Sequence, residues 1–450
     1  MRYYSTRDKE HSVDFATAAL KGLAADGGLY VPESVPLLPA SVRSSLATMD
    51  FRDVAYETAR PFVGGCMSAA TLRDLVQDAY PFGAPLVAAD DRFVLELFHG
   101  PTAAFKDFGA RFMARAFAYF RRGEDRPLRI LVATSGDTGG AVADGFFGVE
   151  GIEVTVLYPK GRVSPLQERQ IAGLGGNISA LSVEGSFDDC QALVKRAFAD
   201  PELSRRLSLS SANSINISRL VPQAVYYVAA AGKAAAGKAD EDGEATPRVS
   251  GYPAPRRESA GGKAVFCVPS GNFGNLTAGL YARAMGAPID LFVAATNANR
   301  TVPLYLETGS YEPRKSVPTL SNAMDVGAPS NFERMTAHWS HLELSRVIKG
   351  VWTDDAATKA TIERVHSRFG YILDPHGAVG WNALDELKAK GEPLPPVRVL
   401  LATAHPAKFA ETVEPLVGPV KAPASLTAAM GRTVVSKTIP ADFAALADSL

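Results

Sequence analysis

From residue 92 onward, short apolar runs alternate with stretches of helical spacing. RFVLELF (92–98), LRILVAT (128–134), IEVTVLYP (152–159), AVFCVP (264–269), IDLFVAAT (289–296) and VRVLLAT (397–403) are brief, nearly continuous in apolar residues and rich in β-branched side chains. The segments between them, such as FGARFMARAFAYF (108–120) and LTAGLYARAMG (276–286), place apolar residues three and four apart. Runs apolar on both sides need cover on both faces. The pattern therefore predicts an α/β protein with mostly parallel open sheets flanked by helices. In such sheets ligands lie beyond the carboxyl ends of the strands. The polar and glycine-rich loops HGPTAAFKD (99–107), TSGDTGG (134–140), SGNFGN (270–275) and ATAHPAK (402–408) all fall at such ends.

The first ninety or so residues break the rhythm. They hold helical patterns (VDFATAALKGLA, ATLRDLVQDAY) separated by turns such as the DGG at 26–28, and read as a small N-terminal unit. Residues 231–263 break it differently. AGKAAAGKADEDGEATPRVSGYPAPRRESAGGK has little to bury and reads as a disordered surface insertion.

Composition narrows the function classes. The chain has 450 residues, 46% of them apolar and 21% charged, with a net charge of −1. That balance offers no nucleic-acid or anionic-membrane surface. Cys66, Cys190 and Cys267 are odd in number and far apart, which disfavours a disulfide framework or a zinc site and suits a reducing compartment. The start, MRYYSTRDKEHS, lacks an apolar signal region, and no apolar run reaches the length of a membrane span. The seven histidines form no HExxH, so no metal site is expected. The expectation is a cytoplasmic enzyme acting without a metal.

Candidate chemistry sits in the loops. Thr102 is a candidate N-cap, which would place Lys106 in the first turn of a helix with Phe105, Phe108, Phe112, Ala116 and Phe120 along one stripe. Desolvation and the helix dipole then lower the ammonium's pKa, and a neutral amine can form an imine with a carbonyl cofactor. Taken alone, the lysine also fits a side chain that simply snorkels to solvent. SGNFGN fits a cradle for one phosphate at a helix start, or a plain tight turn. Ser135, Asp137 and Thr138 could hold a carboxylate or a ring hydroxyl, or merely cap a helix. Asn213, Ser214 and Arg219, within NSINISR, could grip a second oxyanion, or start an ordinary helix. Thr403 puts a neutral hydroxyl at a strand end, with His405 and Lys408 nearby.

Taken in order, HGPTAAFKD, TSGDTGG, NSINISRLVPQ, PSGNFGNLTAG, DPHGAVG and LATAHPAKF resemble the threonine synthases, pyridoxal-phosphate enzymes of the tryptophan-synthase-β type (fold type II). YYSTRD and GLAADGGLYVPE resemble the N-terminal domain of that family. The resemblance implies an N-terminal domain at 1–92, a catalytic region of two α/β lobes at 93–430 and a C-terminal tail at 431–450. It implies pyridoxal 5'-phosphate as cofactor, with Lys106 as the lysine that binds it. Gly271, Asn272, Phe273, Gly274 and Asn275 would hold its phosphate, and Thr403 would face its pyridine nitrogen. Ser135, Asp137 and Thr138 would lie around the substrate carboxylate, and Asn213, Ser214 and Arg219 around the substrate phosphate. The loop reads SGDTGG where SGDTGS is usual, NISRL replaces NWARL, and Gly377 stands where threonine is frequent. The implied reaction turns O-phospho-L-homoserine and water into L-threonine and phosphate, the last step of threonine biosynthesis, in a monomer or homodimer. The motifs leave open a phospho-lyase releasing 2-oxobutyrate, and a non-catalytic phosphometabolite-binding protein.

Overall fold

The computed structural model of the chain describes residues 1–240 and 262–450. Its larger sheet runs Ile348–Trp352, Ile289–Thr296, Ala264–Pro269, Val397–Ala402, Arg92–Glu96 and Leu86–Ala89. Only the last pair is antiparallel, joined by a two-residue turn in which Asp90 takes a positive φ of 55°. The second sheet is parallel throughout: Lys437–Pro440, Ile178–Glu184, Ile152–Pro159, Leu128–Ala133 and Ser208–Ser211. A small antiparallel sheet, Ser12–Val13, Tyr3–Ser5 and Tyr30–Pro32, belongs to the N-terminal unit.

The apolar runs are strands because both their faces are covered. Ala264–Pro269 is buried at every residue, and Phe266 lies in register with Phe292 of its neighbour. Phe266, Val268 and Phe292 enter the main apolar core, while Val265, Cys267 and Val293, on the opposite face, enter a second core around Trp381 and Leu400. The main core is continuous from Tyr3, Phe15 and Phe62 of the N-terminal unit, through Phe108, Phe112 and Phe117, to Val154 and Val156 of the second sheet. A third core behind that sheet joins Leu181 and Val194 to Ile439 and Leu446.

Three expectations are revised. The segment expected as a tail from 431 is part of the second lobe: Lys437–Pro440 pairs with Ile178–Glu184, and Leu446 is buried in the third core. The insertion does not begin at 231. Helix Ala224–Ala235 runs through that point with Ala231 and Ala234 buried, and Asp240 is fastened to Leu86 by two backbone-directed hydrogen bonds. Residues 241–261, the rest of the expected insertion up to the last two positions, lie outside the described residues. Thr102, finally, does not cap the next helix, which spans Lys106–Phe120. Phe105 N–H donates to Thr403 O and His405 N–H to Ala103 O, so the loop is stitched to the neighbouring strand end before the helix can start. Thr102 instead donates its hydroxyl and its N–H to the two oxygens of Asp107.

Candidate active site

The carboxyl ends of strands from both large sheets converge on one cavity of about 380 Å³. Lys106 follows Arg92–Glu96, Ser135 follows Leu128–Ala133, Asn213 follows Ser208–Ser211, Gly271 follows Ala264–Pro269 and Thr403 follows Val397–Ala402. All the residues given a cofactor or substrate role in the sequence line this cavity: Lys106, Ser135, Asp137, Thr138, Asn213, Ser214, Arg219, Gly271, Asn272, Phe273, Gly274, Asn275 and Thr403; His405 and Lys408 do not.

Lys106 is the first residue of its helix, and its ammonium nitrogen lies 4.9 Å from the centre of the Phe105 ring. Burial drives its pKa down from the ordinary 10.5 to about 8; Asp137 opposes the fall, and the positive charges of Lys408 and Arg219 deepen it. Asp137 is not free to neutralise Lys106 alone. Lys408, itself buried, holds its Nζ 2.8 Å from Asp137 Oδ1 and donates to Thr102 O, while Gln167 Nε2 donates to the same carboxylate oxygen. Burial pushes the Asp137 carboxyl up, but Lys408 and Lys106 outweigh it and hold the group well below the usual carboxylate range. Two cations flank this one carboxylate and Arg219 adds a further positive charge felt at Lys106, which leaves the floor of the cavity electropositive and suits an anionic ligand.

The helix after the second loop spans Asp137–Phe146, so Asp137 opens the helix and does not cap it. Thr134 does the capping work, its hydroxyl accepting from the N–H groups of Gly136 and Gly139. In the third loop Phe273 adopts the left-handed conformation (φ 59°) just before helix Gly274–Ala284. Gly271 lies so close to the 323–324 backbone that an added Cβ would sit 2.8 Å from Ala323 O and Met324 Cα. Asn275 accepts from the hydroxyls of Tyr226 and Tyr227, which leaves its buried Nδ2 without a partner.

Asn213 Nδ2 donates to Ala133 O, tying this loop to the end of the strand before Ser135. Ser214, expected with the second oxyanion group, accepts instead from Asn272 Nδ2 at 2.6 Å. The two clusters thus form one hydrogen-bonded wall. Arg219 is fully buried. Its Nη1 donates to Ala212 O, and its Nε, packed against Gly109, has no partner. Burial lowers its pKa to about 10, Asp107 opposing.

Several wall residues were missed in the sequence. Lys195 of helix Phe187–Ala199, and Arg314 and Lys315 of an extended loop, are exposed cations at the cavity's rim. The loop folds back on Gly327, where any Cβ would collide with Arg314 O; the adjacent RK pair was the available signal. Asp325, its carboxyl raised by burial to about 6 despite hydrogen bonds from Thr319 and Asn297, lines the same cavity. His376 is buried, with Nδ1 2.6 Å from Asp374 Oδ2 and Nε2 without a partner.

A depressed lysine, a glycine cradle that a side chain would fill, and unpartnered Asn275 Nδ2 and His376 Nε2, both in the cavity lining, fit a polar carbonyl cofactor carrying a phosphate. The fold and site define a pyridoxal-phosphate-dependent enzyme: residues 92–403 match that family, described as pyridoxal-phosphate dependent enzyme. Residues 2–80 match the threonine synthase N terminus and residues 377–449 the threonine synthase C-terminal family. The threonine synthase of Haemophilus influenzae is 44% identical to this chain, over 93% of it and 92% of the relative. The crystal structure of threonine synthase from Escherichia coli superposes with a TM-score of 0.85 at 40% identity, covering 100% of this chain and 99% of that one. The pyridoxal-phosphate-bound threonine synthase structure from Brucella melitensis gives 0.86 at 36% identity, covering 100% and 98%. The chain belongs to the threonine synthase family. Among the described residues, no helix is long and apolar enough to cross a membrane, and no group of side chains could hold a metal ion.

Proposed function

We propose that this chain converts O-phospho-L-homoserine and water into L-threonine and phosphate, with pyridoxal 5'-phosphate held on Lys106. The observation that carries the reading is the convergence of Lys106, the 271–275 loop and the cationic rim on one cavity. When bound, the cofactor supplies an electrophilic carbon for the substrate amine and a conjugated ring that spreads negative charge from Cα. The protein does the rest. Lys106, with its pKa near 8, is neutral in a large share of molecules at mildly alkaline pH, as bonding to a carbonyl requires. Once displaced by the substrate amine, its Nζ is placed to take and return the Cα proton. Lys408 and Gln167 keep Asp137 engaged, so that carboxylate does not clamp Lys106 as an ammonium.

Backbone N–H groups of the 271–275 loop serve the cofactor phosphate at the start of helix Gly274–Ala284. Ser135, Asp137 and Thr138, at the start of helix Asp137–Phe146, serve the substrate carboxylate through Ser135, Thr138 and the helix N–H groups. Thr403 offers the pyridine nitrogen a neutral hydroxyl. Asn213, Ser214 and Arg219 provide deep polar contacts for the substrate, and Lys195, Arg314 and Lys315 at the rim meet the phosphate that leaves Cγ. Loss of a proton from Cβ accompanies departure of the phosphate from Cγ, and protonation at Cγ, addition of water at Cβ and return of the Cα proton then give threonine. The same reading places the enzyme in the cytoplasm, which three unpaired cysteines support, as a monomer or homodimer. The test is product analysis with pyridoxal 5'-phosphate and O-phospho-L-homoserine. Equal amounts of phosphate and threonine are expected. Phosphate with 2-oxobutyrate would make the chain a phospho-lyase, and absence of phosphate release would overturn the reading.

A further inference from the structure

Arg334 lies in helix Phe332–His338, far along the chain from every residue in the cavity's floor. Its side chain is fully buried and makes no ion pair among the described residues. A buried guanidinium without a counter-ion is retained where its donors are all used in place. Here Nε and Nη2 donate to Tyr30 O in the N-terminal sheet, Nη2 donates to Ile215 O beside Ser214, and Nη1 donates to Asn331 Oδ1 at 2.6 Å.

The last bond has a directional consequence. With its carbonyl end facing the cation, the Asn331 amide must turn its NH2 the other way. That Nδ2 donates to Asn272 O and to Ser214 Oγ, and the Asn331 backbone N–H also donates to Asn272 O. Asn272 is gripped at its side chain as well: Nδ2 donates to Ser214 Oγ and Oδ1 accepts from Ser330 N–H. In a trans peptide the N–H points opposite to the C=O. Holding Asn272 O against Asn331, which is not in the cavity wall, turns the Phe273 N–H away from Asn331. The same grip accounts for Phe273 in the left-handed conformation, which persists only where its surroundings over-determine it.

We propose that Arg334 is a positioning residue for the cofactor: acting through Asn331, it sets the peptide planes of the 271–275 loop that aim N–H groups at the cofactor phosphate, and it anchors them to the N-terminal unit through Tyr30. The inference rests on the reading of 271–275 as the phosphate loop. The experiment separates the two. The full chain, stripped of cofactor, is titrated with pyridoxal 5'-phosphate and with pyridoxal, which lacks the phosphate, and the ratio of affinities is read by absorbance. Arg334→Met and Asn331→Ala are each expected to lower the preference for the phosphorylated form by about tenfold or more, as for loss of a charge-assisted anchor. Affinity for pyridoxal should hold; a general loosening of the fold would weaken both ligands alike. Should Arg334→Met fail to fold, Asn331→Ala decides alone, since it keeps the Arg334 bonds to Tyr30 and Ile215. An unchanged preference in Asn331→Ala overturns the proposal. If Gly271→Ala also leaves the preference unchanged, the phosphate-loop reading falls with it; if Gly271→Ala lowers it while Asn331→Ala does not, only the role of Arg334 is lost.

Discussion

Replacing Lys408 by Met would test whether the lysine's reactivity is set by a charge it never touches covalently. Lys408 and Lys106 flank the same carboxylate, Asp137, and Lys408 depresses the Lys106 pKa both by repulsion and by occupying that carboxylate. The repulsion of two ammoniums so placed is on the order of 1 to 3 kcal/mol at an effective dielectric of about 20. That is roughly 1 to 2 pKa units. Lys106 should therefore climb from about 8 by roughly that much, while burial, the largest cause of its depression, still holds it below its ordinary 10.5. At pH 8 its neutral share falls from about half to between roughly a tenth and a hundredth, a loss of about 5- to 50-fold in the reactive amine. The assay is the rate at which cofactor-free protein takes up pyridoxal 5'-phosphate, followed by absorbance across pH. The inflection is expected to move upward by at least one pH unit, and Lys408→Arg, which keeps the charge, should leave it in place. An inflection that stays put or moves down in a folded Lys408→Met protein would refute the reasoning. Thermal melts at each pH verify folding, because the buried Asp137 loses its closest counter-charge.

Gly271→Ala drives a Cβ into backbone atoms at 2.8 Å, and backbone cannot yield as a side chain can. A penalty of about 1 to 3 kcal/mol is expected, seen as roughly 5- to 150-fold weaker cofactor binding in a titration. Lys315→Ala removes an exposed rim cation; KM for the phosphorylated substrate should rise a few-fold, less at high salt, with kcat unchanged. Burial, helped by Arg334 and Lys9, lowers the His338 pKa from 6.5 to about 4. The neutral folded form is favoured, so its contribution is intact above pH 6.5 and is lost as pH falls through 4, up to about 3 kcal/mol. Asp107 and Asp325, both raised to about 6, act in the opposite sense. The effect is therefore read as the difference in urea stability between the chain and His338→Gln at pH 7 and pH 4.

The loops at strand ends were legible because a strand–loop–helix unit is local: AVFCVP, SGNFG and the helix after it can be read in one window. What stayed hidden depends on distance or on ambiguity of composition. An alanine-rich stretch such as AAAGKAA looks alike as a linker and as a buried helix, and only packing against the main core makes Ala231 and Ala234 helical interior. The four residues Lys437–Pro440 carry no strand signal of their own; they become a strand because Leu181–Glu184 is waiting. Thr102 carries the side chain of an N-cap, but the register of its loop is decided by Thr403, three hundred residues away. Lys408 could be seen as polar, yet its pairing with Asp137 could not, because a residue's electrostatic role is a property of the assembled cavity. Asn331 and Arg334 sit in a segment with no motif at all, and act through amide orientation.

The order in which the chain contributes its strands has a consequence for synthesis. Lys106 and the 134–140 loop are made early, but the strand that seats Lys106 pairs with Val397–Ala402, and Lys408 arrives only after it. The second sheet in turn gains its edge from Lys437–Pro440. A nascent chain that has not yet released Val397–Ala402 holds the amine without the cation that tunes it, and apolar sheet edges without their partners. Newly made protein therefore passes through a long interval in which the lysine is present and its cavity is not, and the exposed strands of that interval are what a ribosome-associated chaperone would meet.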